Sequence, residues 1–271
     1  MLKLGWFSTG RGEGSRNLLR LVHQQITNGY LAAQIEFVFC NRAPGEAEGS
    51  DQFHALVRSY GIPLVTLSSQ RFRRDHRARR FDEVREQFDL EVLRRLEGYA
   101  VDLGVLAGYM LYTGSELCRR FTLINLHPAL PSGPTGTWQE VMWQLIESRA
   151  TETGAMVHLA TEQWDRGPAI TCCSFPLTGP AFDPLWQQIA GRTVDELKST
   201  DGEELPLFQL IRQEGMKREA PLLLETIRAF AQGKIRAVNR GVVDERGQPA
   251  ASQILNSEVE AWLRGHEPHS G

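Results

Sequence analysis

Cysteine is scarce in this chain, and its spacing is wrong for a metal site. The 271 residues contain four cysteines, Cys40, Cys118, Cys172 and Cys173, with no Cys-x-x-Cys pair. We therefore expect neither a disulfide framework nor a zinc site. Reduced core thiols in a cytoplasmic protein are the default interpretation.

Long apolar runs and a strong charge imbalance are also missing. No stretch reaches the roughly 20 apolar residues that a membrane-spanning helix needs, and the chain begins in an apolar strand without a secretory signal. The formal net charge of -3 gives no reason to expect nucleic-acid binding. We expect a cytoplasmic protein without a membrane or nucleic-acid partner, and oligomer formation is left open.

One arginine-rich segment, residues 71–80, departs from this balance. An anionic-substrate patch is one interpretation. A solvated loop that leads into the following helix is favoured, because Glu83, Glu86 and Glu91 offset the charge nearby.

Strand-like and helix-like segments alternate through the first half of the chain. Apolar runs that predict buried strands lie at Leu2–Ser8, residues 35–40, residues 63–67, Leu103–Leu106 and residues 122–126. Alternation with short connections predicts an α/β fold, an open, mostly parallel twisted sheet flanked by helices. We expect residues 1–240 to form this domain and residues 241–271 a short C-terminal extension, partly flexible.

The second half is less regular. Two further strands are predicted, at residues 154–161 and 169–177, and an amphipathic piece near residues 259–263. Residues 178–206 are rich in turn formers, which indicates irregular structure with one helix. A long helix is predicted within residues 207–232, with an interruption at Gly215 or Pro221.

A glycine-rich loop joins the first strand to the first helix. Glycines at positions 10, 12 and 14 allow a sharp turn and let backbone N–H groups approach an anion, and Ser15 suits the helix N-cap. Phosphate binding is favoured over a purely structural turn, and both stay open. A dinucleotide site is less favoured, because Ser15 stands where the third glycine of that fingerprint would be.

An amide and an imidazole follow the strand at residues 122–126. Asn125 and His127 project from its carboxyl end, the usual place for a site in an open α/β fold. Asparagine donates hydrogen bonds without charge, and histidine gains or loses a proton near neutral pH. The pair suits stabilisation of a developing oxyanion beside a proton transfer. A lone histidine in such a place is more often structural than catalytic. The residues around His127 must therefore decide between the two roles.

Several motifs within residues 1–177 occur in the same order as in a known family. These motifs are Gly12-Glu13-Gly14-Ser15-Arg16-Asn17-Leu18, Cys40-Asn41-Arg42-Ala43, Leu106-Ala107-Gly108-Tyr109-Met110, Asn125-Leu126-His127-Pro128-Ala129-Leu130, Gly154-Ala155-Met156-Val157-His158 and Asp165-Arg166-Gly167-Pro168. Together they resemble the glycinamide ribonucleotide formyltransferase family, within the folate-dependent formyltransferase fold.

The resemblance implies an enzyme that moves a formyl group from 10-formyltetrahydrofolate, a co-substrate, to the amine of glycinamide ribonucleotide in de novo purine biosynthesis. It implies that Asn125 and His127 donate hydrogen bonds to the oxyanion of the tetrahedral intermediate. Asp165 would pair with His127 and help to move protons. No metal is implied.

The resemblance also implies the binding residues. Those for the phosphorylated acceptor are Gly12, Gly14, Ser15, Asn17 and Glu214, with Glu219 as a competitor for the role of Glu214. Those for folate are Leu106, Met110, Leu111, Tyr112 and Trp164. Residues 106–110 also fit a plain buried strand, and Trp164 also fits an exposed turn.

The acceptor is the less certain half of this assignment, because residues 130–136 lack the basic residue usual in the family. Alternatives within the same chemistry are a formyltransferase for another amine, such as a nucleotide-linked amino sugar, and a 10-formyltetrahydrofolate hydrolase. From a different class, a non-catalytic folate- or nucleotide-binding protein stays open.

Overall fold

The structure, a computed structural model, describes residues 1–163, 165–238 and 240–266. Its strands are β1 (Leu2–Ser8), β2 (Ala33–Cys40), β3 (Leu64–Thr66), β4 (Leu103–Leu106), β5 (Leu123–His127), β6 (Glu152–Leu159), β7 (Ala169–Pro176), β8 (Ile235–Val238), β9 (Gly241–Asp244) and β10 (Gln253–Ile254). Its helices are α1 (Glu13–Thr27), α2 (Glu48–Ser59), α3 (Ser69–Asp75), α4 (Arg85–Arg95), α5 (Ser115–Arg120), α6 (Trp138–Glu147), α7 (Asp183–Gln188), α8 (Val194–Thr200), α9 (Pro206–Ala231) and α10 (Asn256–His266).

The described residues divide into two compact units. The first unit takes its residues from Met1–Asn125, Leu159–Pro168 and Ile227–Ala250. The second unit takes Leu126–His158, Ala169–Thr226 and the described residues from Ala251 onward. The division falls within β5, between Asn125 and Leu126.

Parallel strands form the sheet of the first unit, in the order β3-β2-β1-β4-β5. The order reverses between β1 and β4, and open α/β sheets bind ligands beyond the carboxyl ends of strands at such a switch point. Phe7 of β1 pairs in register with Leu106 of β4, which pairs with Asn125 of β5. The glycine loop after β1 and the segment after β4 therefore leave the sheet side by side.

Aromatic side chains dominate the core of the first unit. Phe7, Phe37 and Phe39 are almost fully buried, and the ring of Phe88 from α4 lies 6.5 Å from that of Phe39. Each such burial contributes on the order of 2 kcal/mol of transfer free energy. This core holds β1 and β4 in the register that sets the switch point.

The second unit is built on β6, β7 and β10. β6 and β7 are antiparallel, and β10 adds to β7 in parallel. Helices α6 and α9 cover a separate core, in which the rings of Trp143 and Phe208 lie 4.8 Å apart. With the parallel strands of the first unit, this confirms the predicted α/β class, a mostly parallel sheet flanked by helices.

Two sequence predictions for the second unit are wrong in detail. Residues 178–206 contain two helices, α7 and α8, where one was predicted. The side chain of Thr193 caps α8 and Glu196 completes a capping box, a signal that turn-rich composition hides. Helix α9 also runs without interruption past Gly215 and Pro221, because its buried apolar residues hold it against the core of this unit.

The first residues after β10 form hydrogen bonds with β7. Leu255 N donates to Cys172 O at 2.8 Å, and the side chain of Asn256 accepts from Ser174 N at 2.8 Å. Val259 is fully buried, so α10 is longer and better anchored than the amphipathic piece predicted from sequence. The proposed boundary between residues 240 and 241 stays a prediction.

The arginine-rich segment is partly helical, which corrects the expectation of a loop. Ser68 caps α3 by accepting from Arg71 N, and this cap starts a helix that the charge pattern obscures.

Among the described helices, none is long and apolar enough to cross a bilayer.

Candidate active site

The glycine loop runs from the end of β1 into α1. Gly10 has a φ of +64°, the left-handed region that favours glycine. Gly12 is the N-cap of α1, so Ser15, the predicted cap, instead lies buried inside the first turn. Because Gly12 has no side chain to cap them, the first N–H groups of α1 keep the partial positive charge that attracts anions.

Two glycines of this loop face open space. A Cβ placed on Gly12 or on Gly14 would meet no atom of the described chain within 4 Å. The backbone of Gly12, with φ of -124° and ψ of 173°, is open to any residue. The turn itself therefore needs neither glycine, and both leave room for a ligand beside the helix N-terminus. Asn17, one turn further on, is exposed and accepts from Arg20 at 2.8 Å.

Thr9 fastens the glycine loop to the segment after β4. Its backbone N–H donates to Gly108 O at 3.0 Å, and its hydroxyl accepts from Met110 N at 2.9 Å. A Cβ on Gly108, whose φ is +68°, would lie 2.4 Å from the hydroxyl oxygen of Ser15. The sequence analysis missed Thr9, for which the only signal is its position directly after a strand.

Buried and exposed side chains are mixed in the segment that begins at the end of β4, residues 106–112. Leu106 and Tyr109 are buried, whereas Met110 is 58% exposed and Tyr112 is 36% exposed. Leu111 is half-buried between them, and the guanidinium of Arg85 lies 5.6 Å from the centre of the Tyr112 ring. Exposed apolar side chains beside the glycine loop suit the flat ring of a heterocyclic ligand.

Asp89 is a buried carboxylate beneath this segment that the sequence analysis did not single out. It is 1% exposed, and its Oδ2 accepts from Gly114 N at 2.5 Å. Burial raises its pKa to about 7, although the Gly114 N–H and the positive charge of Arg85 act in the opposite direction. Nothing in the local pattern marks it, because its environment is set by a contact 25 residues away.

Asn125 and Asp165 meet at the carboxyl end of β5. The amide nitrogen of Asn125 donates to Oδ1 of Asp165 at 3.3 Å. Asp165 is 7% exposed and has a φ of +51°, uncommon for a residue other than glycine. The structure thus brings together two of the three predicted catalytic residues.

His127 is the third predicted catalytic residue and lies two positions beyond Asn125, in the second unit. It is 2% exposed, and its Nε2 lies 2.9 Å from the Pro134 carbonyl oxygen. A carbonyl only accepts, so Nε2 carries a proton in this arrangement. The ring of His158 packs edge-on to that of His127, with centroids 6.4 Å apart. The predicted pairing of His127 with Asp165 stays a prediction.

The two candidate glutamates of α9 are both engaged within their own helix. Glu214 accepts from Lys217 and, at 2.8 Å, from Arg218. Burial alone would raise the pKa of Glu214, but these hydrogen bonds hold it below its usual value. Glu219 accepts from Arg212. A role of either glutamate in acceptor binding stays a prediction.

Trp164, predicted to shape the folate pocket, lies outside the described residues. Within the part of the chain that the structure describes, no cluster of three or more His, Cys, Asp or Glu side chains could hold a metal ion.

Comparisons with known proteins identify the family to which the chain is similar. Residues 11–178 match the formyl transferase family. The chain is 29% identical over 181 residues to the phosphoribosylglycinamide formyltransferase of Escherichia coli (strain K12), which covers 66% of this chain and 76% of that protein.

Solved structures share the fold. The phosphoribosylglycinamide formyltransferase of Coxiella burnetii aligns with a TM-score of 0.67 at 21% identity, over 93% of this chain and 98% of that one. The formyltetrahydrofolate deformylase of Pseudomonas syringae pv. tomato str. DC3000 aligns with a TM-score of 0.62 at 17% identity, over 90% of this chain and 65% of that one.

Proposed function

Because the chain belongs to the formyl transferase family, we propose that it transfers the formyl group of 10-formyltetrahydrofolate to the amine of glycinamide ribonucleotide, a step of purine biosynthesis. A curated relative named phosphoribosylglycinamide formyltransferase supports this acceptor. The observation that carries the proposal is the hydrogen bond from Asn125 to Asp165 at a strand end that is in register with Leu106.

The reaction begins when the amine nitrogen attacks the formyl carbon. A C–N bond forms, and an electron pair moves onto the formyl oxygen, which becomes negative. The amide of Asn125 donates a hydrogen bond to this oxygen, and Asp165 fixes the plane of that amide. One such donor, aimed where charge develops, lowers a barrier by about 3–4 kcal/mol.

Collapse of the oxyanion completes the transfer. The bond between the formyl carbon and the donor nitrogen breaks, and its electron pair goes to that nitrogen. The proton lost by the attacking amine must reach the same nitrogen, and we assign this relay to His127 and Asp165, a titratable group and a carboxylate. The Pro134 carbonyl holds the imidazole of His127 in one orientation before the substrates bind.

Binding of the two substrates divides between the two segments at the switch point. We assign the phosphate of the acceptor to the first N–H groups of α1, with Gly12, Gly14, Ser15 and Asn17 around it. We assign the folate ring to residues 106–112, where Met110 and Tyr112 offer exposed apolar surface. Thr9, at the start of the glycine loop, makes two hydrogen bonds to residues 106–112 and so sets the spacing between the loop and that segment.

Hydrolysis of the same donor is the second candidate. Residues 130–136 carry no lysine or arginine, and Glu214 and Glu219 are each paired with an arginine. These features weaken the case for an amine acceptor while leaving Asn125 and Asp165 in place. Water would then attack the formyl carbon, the bond from that carbon to the donor nitrogen would break, and the nitrogen would take up the proton lost by the water. The products would be formate and tetrahydrofolate.

An absorbance assay with a 10-formylfolate donor separates the two candidates. Donor consumption that requires glycinamide ribonucleotide supports the transferase. Equal consumption without any amine supports the hydrolase, and tight donor binding without consumption contradicts both.

A further inference from the structure

Helix α2 packs directly against the glycine loop. Gly49, in the first turn of α2, lies so close that a Cβ on it would be 2.1 Å from the carbonyl oxygen of Arg11. The contact is with backbone, so no change of side-chain rotamer relieves it. The guanidinium of Arg16 on α1 also donates to the carbonyl oxygen of Gly49 at 3.2 Å. Helix α2 therefore contacts the backbone of Arg11 and is joined to α1 by the hydrogen bond from Arg16 to Gly49.

Phe53, one turn further along α2, fixes the start of the loop. A Cβ on Gly10 would lie 2.8 Å from the Phe53 ring, and Phe53 itself is fully buried. The left-handed conformation of Gly10 is thus packed against the same helix that holds Arg11. Both residues that precede Gly12 are set by α2.

The peptide between Arg11 and Gly12 links the packing of α2 to the anion site, that is, to the N–H groups at the start of α1 where we propose that the phosphate binds. A trans peptide is planar, so the Arg11 carbonyl and the Gly12 N–H point in opposite directions and rotate together. The carbonyl of Arg11 is directed at Gly49, and the N–H of Gly12 is therefore directed away from α2. A shift of the carbonyl turns that N–H, and the N–H groups that follow it, off any bound anion.

We infer that Gly49 is a positioning residue for a phosphate monoester at the glycine loop, acting through the backbone of Arg11. This inference rests on the proposed function and adds a residue that touches neither substrate. It differs from a purely structural role of Gly49 in one respect. Affinity for the phosphorylated substrate should fall while the donor side of the reaction is unaffected.

The test is steady-state kinetics of Gly49→Ala against wild type, with Gly265→Ala as the control. Gly265 is also a helical glycine, and a Cβ there meets open space. We expect the KM for glycinamide ribonucleotide to rise about tenfold or more in Gly49→Ala, the cost of one misdirected charge-assisted hydrogen bond. The kcat and the KM for the donor should stay within about twofold. A folded Gly49→Ala protein with a wild-type acceptor KM overturns the inference.

A second variant covers the case in which Gly49→Ala does not fold. Arg16→Met removes the hydrogen bond to Gly49 without adding a Cβ against Arg11, and Arg80→Met, an exposed arginine paired with Asp82, is its charge-matched control. A severalfold rise in acceptor KM for Arg16→Met alone supports the inference, and equal KM values for both variants overturn it.

Failure of the proposed acceptor is separable from failure of this inference. If wild type does not use glycinamide ribonucleotide, calorimetric titration with ribose 5-phosphate tests the loop directly. Binding by wild type that weakens in Gly49→Ala or Arg16→Met supports the positioning role. Unchanged binding, or no binding by wild type, overturns it.

Discussion

The amide nitrogen of Asn125 donates a hydrogen bond to the carboxylate of Asp165 at 3.3 Å, which joins two residues 40 positions apart in the chain. The backbone of Asp165 holds a positive φ of +51° while the residue is almost fully buried. A non-glycine residue kept in this region costs on the order of 1 kcal/mol or more, and such strain tends to collect at functional sites. The pair is therefore the feature on which the proposed chemistry depends most.

Replacement of Asn125 by alanine should remove the oxyanion donor. We expect kcat to fall by about 10²- to 10³-fold, with little change in the KM for the donor. Steady-state kinetics checks this, with Gln163→Ala as a control in the turn that carries Asp165. A kcat within tenfold of wild type would show that Asn125 is not the donor.

Two substitutions of His127 should separate its proposed role in proton transfer from its hydrogen bond to the Pro134 carbonyl. His127→Ala loses the hydrogen bond to the Pro134 carbonyl and should cost about 1 kcal/mol of unfolding free energy together with the transfer activity. His127→Gln retains an N–H for that carbonyl but no titratable group, so its stability should recover while its activity does not. Urea unfolding and the absorbance assay are the measurements. Activity that returns with glutamine would contradict the proton relay.

Alanine at Gly14 should separate ligand binding from folding. A Cβ there meets open space, as it does at Gly215 of α9, and alanine is the better helix former by about 1 kcal/mol. Both variants should therefore be at least as stable as wild type. Only Gly14→Ala should raise the KM for the phosphorylated acceptor. Thermal unfolding and kinetics test this, and an unchanged KM would remove Gly14 from the anion site.

Asp89 should make the stability of the protein depend on pH. Its pKa is raised to about 7 in the folded state, because burial disfavours the carboxylate, and is about 4 in an unfolded chain. The stabilisation that Asp89 contributes to the free energy of unfolding is therefore fully present below about pH 4 and is lost as the pH rises through 7. Asp89→Asn keeps an acceptor for Gly114 N–H and carries no charge.

We expect Asp89→Asn to be more stable than wild type at pH 8 by about 1–4 kcal/mol, and to lose that advantage toward pH 5. The difference in unfolding free energy between the two proteins, measured by urea denaturation across this range, isolates the effect of this group. A constant difference would show that Asp89 does not titrate there.

Much of the first unit could be predicted from sequence, because its determinants are local. β1, β4 and β5 are short apolar runs that end in glycine or polar residues, and this pattern places the loops at one edge of a parallel sheet. The strand pairing in the structure confirms the fold class that this pattern predicts. The positions of Asn125 and His127 at the end of β5 follow from the same local reading.

Contacts that join distant segments could not be predicted in the same way. Thr9 acquires its role from Gly108 and Met110, and Asp89 from Gly114, through strand register and helix packing. Gly49 matters because α2 approaches the backbone of Arg11, which no periodicity encodes. Only one helix was predicted within residues 178–206. Helix α8 was missed because its capping box lies in a segment whose composition indicates turns.

The most direct test of formyl transfer is to follow a carbon-13 label from the formyl group of the donor by NMR, with wild-type protein and glycinamide ribonucleotide present. We predict that the label moves to the amine nitrogen of the acceptor as a formamide, and that it moves about 10²- to 10³-fold more slowly with Asn125→Ala. Label recovered as free formate, at the same rate with and without the acceptor, would contradict the transferase assignment.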